Sequence, residues 1–176
     1  LGAEQVAETG KSIFYMIATN PGPGTGVLLA YWLFSKDTMT RQSAPGALII
    51  HLLGGIHEIS FPYILMNPAL LLATISGSVA ALFYNMIFDL GLSGPPAPGS
   101  LISYLAMAPK GSTLSVILSI VIAAAVSFII ASPIIKMSAA KSSESLEEAQ
   151  QKMQDMKAES KGTAPAAAAP AQADLK

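Results

Sequence analysis

The chain has no cysteine among its 176 residues. That absence excludes disulfides, thiolate metal sites and a cysteine nucleophile on this chain. Charge is scarce as well: 12% charged residues stand against 52% hydrophobic ones, and the mean hydropathy is +0.52. Such a balance is too apolar for an ordinary soluble domain and points to a membrane protein. The formal net charge of −1 leaves no basic excess, so a nucleic-acid partner is not expected. No metal site and no cofactor is expected either, and no fixed-period repeat is visible. A secretory signal pattern is missing too. The chain opens LGAEQVAETGKS, with Glu4 and Glu8 where a basic and then an apolar region would be needed, as expected of a piece of a longer protein.

What is present is a set of apolar segments of two kinds. Residues 111–135 carry no charge and end at Lys136, a cation suited to a membrane interface. At about 1.5 Å rise per residue, roughly 20 residues cross a hydrocarbon core of about 30 Å, so this segment is expected to span. Residues 68–88 form a second expected transmembrane helix, and Ser76-Gly77-Ser78 at its centre offers small residues for close helix packing.

The second kind is interrupted. Residues 12–34 hold two apolar halves separated by Asn20-Pro21-Gly22-Pro23-Gly24-Thr25-Gly26. Proline removes a backbone donor and glycine permits positive φ, so a broken helix is expected, with the break facing protein or water and not lipid. The uncharged apolar run 43–57 is too short to span and ends in GGIH just before Glu58, as one arm of a re-entrant hairpin around 43–67 would. Residues 95–109 are proline-bounded and also short, a further re-entrant or loop segment. Beyond Lys136 the composition becomes charged. Leu146, Ala149, Met153 and Met156 recur at helical spacing, so a soluble amphipathic helix is expected over 138–161, with an Ala/Pro linker over 162–176.

Glu58 is the residue most out of place. An ionised carboxylate at membrane depth costs about 2.5–3.5 kcal/mol on insertion scales, so Glu58 should face a wet cavity or a partner. It can accept hydrogen bonds from a polyhydroxylated ligand, with His57 beside it as donor or acceptor. The bland alternative is a structural carboxylate capping backbone amides at the hairpin tip, and His57 could equally hold the hairpin. His51 reads as a packing histidine with its hydrogen bonds met. Asn20 and its glycines either bind substrate or only shape the break, Gly55 is a weaker site candidate, and Asn67 before Pro68 reads first as a turn. Tyr31, Trp32 and Tyr63 are sugar-stacking or interfacial aromatics. GPGTG lacks the Lys-Ser/Thr pair and the preceding strand of a phosphate loop.

The strings NPGPGTGVLLAYWLF, RQSAPGALIIHLLGGIHEISFPYILMNPALLLA, APGSLISYLAMAPKG and QQKMQDMKAESKG resemble the second half of the membrane-embedded IIC component of the mannitol permeases of the bacterial phosphotransferase system. The resemblance covers nearly the whole chain. It implies an all-α integral membrane protein of the glucose-superfamily EIIC kind, with residues 1–137 the membrane-embedded C-terminal half of IIC, followed by a cytosolic helix and a linker toward a IIB domain. It also implies a homodimer in the bacterial inner membrane, multi-pass, with a cytoplasmic C-terminus. Its function would be to bind and translocate a hexitol, mannitol first, with phosphorylation by IIB, which is itself served by IIA and HPr phosphocarriers. The complete permease would be the phosphotransferase. The family places an upstream half, with a histidine-containing stretch, before the position of Leu1, and phosphorylates IIB on a cysteine. This chain therefore carries no catalytic residue of its own, and its substrate-binding candidates are Glu58, His57 and Asn20, with Gly55 and Asn67 weaker. Lys136 and Lys141 fit a cytosolic C-terminus, while Lys36 and Arg41 leave the earlier topology open. A different class of reading is an ion-coupled carrier or channel in which Glu58 binds a cation, or a membrane scaffold.

Overall fold

A computed structural model describes the backbone of residues 1–162 and the side chains of residues 1–138. The expected linker at 162–176 lies outside the described residues except for Gly162. Helices dominate in this order: α1 Gly2–Thr9, α2 Ile13–Thr19, α3 Gly22–Phe34, α4 Thr38–Ile49, a π-helical turn Ile50–Gly54, a 3₁₀ turn His57–Ser60, α5 Phe61–Met66, α6 Leu70–Ile87, α7 Leu101–Ala106 and α8 Thr113–Gly162. The only β pairing among the described residues is an isolated bridge between Ser12 and Leu92.

Two stretches are long and apolar enough to cross a membrane: Leu70–Ile87, with mean hydropathy 1.7, and Thr113–Ser138, with 2.8. Both turn small residues inward and large apolar ones outward. On α6, Ala73, Gly77, Ala81 and Asn85 are buried at four-residue intervals, whereas Leu72, Ile75, Val79, Phe83 and Met86 are exposed. On α8 the buried stripe is Ser119, Ala123, Ser127 and Ala131. Small inner stripes let backbones approach closely, the arrangement that packs helices where the surrounding solvent is itself apolar. Gly77 shows how closely: a Cβ there would lie 2.6 Å from the Ala123 carbonyl oxygen.

Two compact units divide the chain, Leu1–Ala139 and Ala140–Lys176. α8 runs without interruption to Gly162, so the segments expected as a helix over 111–135 and another over 138–161 share one continuous helix.

The first unit has two apolar clusters. Val27, Leu28, Ala30 and Tyr31 of α3 meet Ala44, Ala47, Tyr63, Ile64, Leu70 and Ala131. At the other end Met16, Leu90, Leu92, Tyr104, Val116 and Ile120 form the second. The ends differ in charge. Lys136 Nζ sits 3.9 Å above the Phe34 ring, close in sequence to Lys36 and Arg41. At the opposite end Lys11 pairs with Asp89 at 2.6 Å, and the Ser12 amide donates to the Leu92 carbonyl.

The glycine-rich insert behaves differently from expectation. Only Asn20 and Pro21 interrupt the segment, Asn20 being extended, and α3 is already helical at Gly22. Pro23 lies in the first turn, where no intrahelical donor is lost. The glycines serve packing instead: a Cβ on Gly22 would meet Ile120 O and Ala123 Cβ at 2.5 Å, and one on Gly26 would meet Ala124 O at 2.4 Å. They let α3 lie directly on the α8 backbone.

Candidate functional site

The GGIHE stretch forms a chain reversal. α4 begins at an Asp37 cap, whose carboxylate accepts from the Thr40 amide at 2.8 Å and also from the Thr40 hydroxyl. These bonds hold the Asp37 carboxyl below its ordinary value, the Thr40 side-chain bond being the largest cause. α4 then widens into the π turn and ends at Gly55, with φ 71°. Glycine is required there twice over, since a left-handed conformation disfavours a side chain and a Cβ would lie 2.4 Å from the Ser100 amide nitrogen. α5 packs on α3 and is tied back to α4 by a side chain. Tyr63 OH donates to Ser43 Oγ, and Tyr31 OH donates to the Tyr63 carbonyl, both at 2.8 Å. Those bonds make Tyr31 and Tyr63 packing residues.

The reversal meets two other irregular segments. His57 Nε2 lies 2.8 Å from the Gly99 carbonyl oxygen, and His51 Nε2 lies 2.9 Å from that of Pro21. A carbonyl only accepts, so each Nε2 carries a proton and donates. The two rings stand 4.7 Å apart at 36°. His51 is buried, and its Nδ1 has no hydrogen-bond partner among the described residues, so only one side of this histidine is satisfied. Gly24 makes room for it: a Cβ there would come within 2.7 Å of His51 Nε2.

A cavity of about 340 Å³ opens at this junction. That lies near the small end of the range of about 300–1,000 Å³ usual for small-molecule sites. Asn20, His51, His57, Ser60, Thr74 and Ser78 give it polar lining, and Pro23, Phe61, Ile64, Leu65 and Leu71 give it apolar walls. Asn20 Oδ1 accepts from the Gly22 amide at 2.9 Å, which shapes the break and leaves the amide nitrogen of its side chain for other contacts. Ser60 Oγ donates to the His57 carbonyl at 2.8 Å.

Of the residues singled out from sequence, Asn20 and His57 are brought together at the cavity. Gly55 lies at the tip of the reversal. Glu58 is exposed, does not line the cavity and makes no hydrogen bond from its carboxylate among the described residues. Asn67 lies elsewhere, its amide donating to Ser138 Oγ at 3.1 Å. His51 and Ser60 are lining residues that sequence reasoning did not place in the site. The available signal for His51 was its six-residue separation from His57 across the glycine pair. No cluster of metal-ligating side chains occurs among the described residues.

Similarity to known proteins is high across this framework. The chain is 55% identical over 157 residues to the mannitol-specific EIICB component of the phosphotransferase system from Geobacillus stearothermophilus, covering 89% of the chain and 33% of that protein. It is 50% identical over 175 residues to the mannitol-specific EIICBA component from Escherichia coli (strain K12), covering 99% of the chain and 27% of that protein. The chain matches the IIC part of the mannitol permease family. A third member, the EIICB component from Bacillus subtilis (strain 168), is 51% identical over 157 residues, covering 89% of the chain and 32% of that protein. The chain thus spans a third or less of the length of these curated family members. No protein-family model and no solved structure matches it.

Proposed function

We propose that this chain is a stretch of the membrane component of a phosphotransferase-system permease that binds a hexitol, in the first instance mannitol, and carries it across the membrane as a IIB domain phosphorylates it. The carrying observation is identity of about half over nearly the entire chain to mannitol-specific components. The polar cavity beside the GGIHE reversal supports the same reading. In the complete permease this makes the protein a phosphotransferase; the present chain supplies binding groups and no phosphorylated residue.

A hexitol offers hydroxyl groups at every carbon. His57 and Asn20 would hydrogen-bond them at the cavity, with Gly55 setting the tip of the reversal. Glu58, on the exposed side of that tip, would accept two or more hydrogen bonds from hydroxyls of the part of the sugar that extends beyond it. Catalysis by the assembled permease then consists mainly of holding a terminal hydroxyl in line with the phosphoryl group on the donor.

In the membrane, residues 12–34, α6 and the first part of α8 would cross the bilayer, and 43–67 would form a re-entrant hairpin as in glucose-superfamily EIIC proteins. Residues 1–137 would be the membrane part, 138–161 a cytosolic helix and 162–176 a tether to IIB. Lys36, Arg41 and Lys136 share one end, which supports a cytoplasmic assignment for that end and for the C-terminus by the positive-inside rule. A homodimer in the inner membrane, fed by IIA and HPr through IIB, completes the proposal.

The test is Glu58→Gln in the complete permease with its phosphoryl donor. Losing one hydrogen bond to a charged group costs roughly 1.5–3 kcal/mol, so mannitol affinity should fall about ten- to a hundredfold. His57→Gln should be milder. A Glu58→Gln permease with normal dimer content that binds mannitol as tightly as the parent would show that the acid serves the fold and not the sugar.

A further inference from the structure

We propose that the cleft between the end of α3 and the first turns of α4 binds the phosphate of an anionic phospholipid headgroup. The cleft has a volume of about 340 Å³ and is lined by Trp32, Lys36, Thr38, Arg41, Gln42 and Pro45. This site is separate from the His51/His57 cavity and shares no residue with it.

Two cations face one space. Lys36 and Arg41 are both exposed, and neither forms an ion pair among the described residues. The nearest acid in sequence, Asp37, does not line the cleft. Its carboxylate is occupied by the Thr40 amide and hydroxyl at the start of α4. The lining itself thus carries two positive charges and no acid, while the Asp37 carboxylate keeps its own charge at the start of α4. Guanidinium matches phosphate with paired donors, an ammonium adds a compact second charge, and Thr38 and Gln42 can bond the remaining oxygens or a headgroup hydroxyl.

Position selects lipid over a soluble phosphate. Trp32 and Leu33 are 42% and 52% exposed immediately beside the two cations, and Ile49 and Ile50 extend the exposed apolar surface along the same arm. An indole edge next to basic residues is the chemistry of the membrane interface, where the ring meets acyl carbon and the cations meet phosphate. A free anion would leave Trp32 and Leu33 uncovered. The site rests on the membrane reading of the fold, and not on the hexitol reading.

The experiment uses the complete permease that carries this chain, purified in detergent and titrated with phosphatidylglycerol or phosphatidylcholine, with bound lipid counted by native mass spectrometry. Phosphatidylglycerol should be retained in preference to phosphatidylcholine. Lys36→Gln and Arg41→Gln should each weaken its retention about fivefold. Arg41→Lys, which keeps the charge but loses the paired donors, should weaken retention less than Arg41→Gln, and Lys110→Gln, outside the cleft, should leave it unchanged. Equal retention of the two lipids, or an undiminished Lys36→Gln/Arg41→Gln double variant, overturns the proposal. Displacement of the lipid by millimolar inorganic phosphate or by an acidic peptide overturns the lipid assignment. Recovery of the parent chain in the soluble fraction of cells would sink the membrane reading itself, and is scored separately.

Discussion

The straight helices and the broken ones solve the same backbone problem in different ways. In α6 and in residues 113–138 of α8, the chain stays helical, and sequence variation only decides which face packs. Small residues turn inward and large apolar ones outward. In residues 12–34 and 38–66 the helices stop and restart, and polar side chains tie these segments to one another, to the loop before α7 and to α8 through backbone carbonyls. His51 reaches Pro21, His57 reaches Gly99, Tyr31 reaches Tyr63, and Ser127 of α8 donates to Pro23 at 2.8 Å. Buried backbone oxygens demand such partners where water is scarce. The comparison shows why the polar cavity sits where it does: the interruptions that lipid cannot tolerate are also what recruits histidine, asparagine and serine to one place.

Breaking the joint between the two regions should have the largest effect. Gly26→Leu would drive a side chain into the Ala124 carbonyl, and overpacking of this sort costs about 1–3 kcal/mol. Thermal unfolding in detergent should show a clear loss of stability. Gly46→Ala, in α4 with nothing within 4 Å of the added carbon, should instead stabilise by up to about 1 kcal/mol. Equal behaviour of the two variants would show that α3 does not pack on α8 as described.

A smaller effect separates bonds that cross to a broken segment from bonds within a straight one. Ser127→Ala removes a buried donor to Pro23 and should cost about 0.5–1.5 kcal/mol. Thr74→Val removes an exposed bond to Leu71 inside α6 and should cost no more than about 0.5 kcal/mol. If Thr74→Val proves the more damaging by the same unfolding measurement, the contrast drawn above fails.

The smallest effect concerns the Asp37 cap at the start of α4. Its carboxyl titrates below the ordinary value of 3.8, so its contribution to stability is complete above that pH and fades as pH falls through the lower folded value. Asp37→Asn keeps a capping oxygen and should remove this part of the acid dependence. Unfolding midpoints of the two chains, compared from pH 5 downward, measure it.

Much of this was legible from residues. The uncharged run before Lys136 and the run 68–88 announced the two long helices, because a membrane-length apolar stretch has few other folds open to it. Asn20-Pro21 announced a break, and GGIHE a reversal. The break is shorter than the glycine and proline content suggests. Glycine and proline are poor in a helix interior, yet Pro23 fell in a first turn and Gly22 and Gly26 were matched to the α8 backbone. No local rule contains that neighbour.

By itself, the sequence determined the apolar class, the helical segments and the points at which regular helix must fail, since these follow from side-chain transfer energies and from the missing donor of proline. Only tertiary structure decided that His51, six residues from the histidine suspected of binding, stands with its ring 4.7 Å from it. The same packing left Glu58 exposed beside the cavity and set Lys36 and Arg41 around one cleft. The physical reason is that a side chain's surroundings depend on where the π turn, Gly55 and the Pro21 break aim each segment, and those directions are fixed by contacts between residues far apart in the chain.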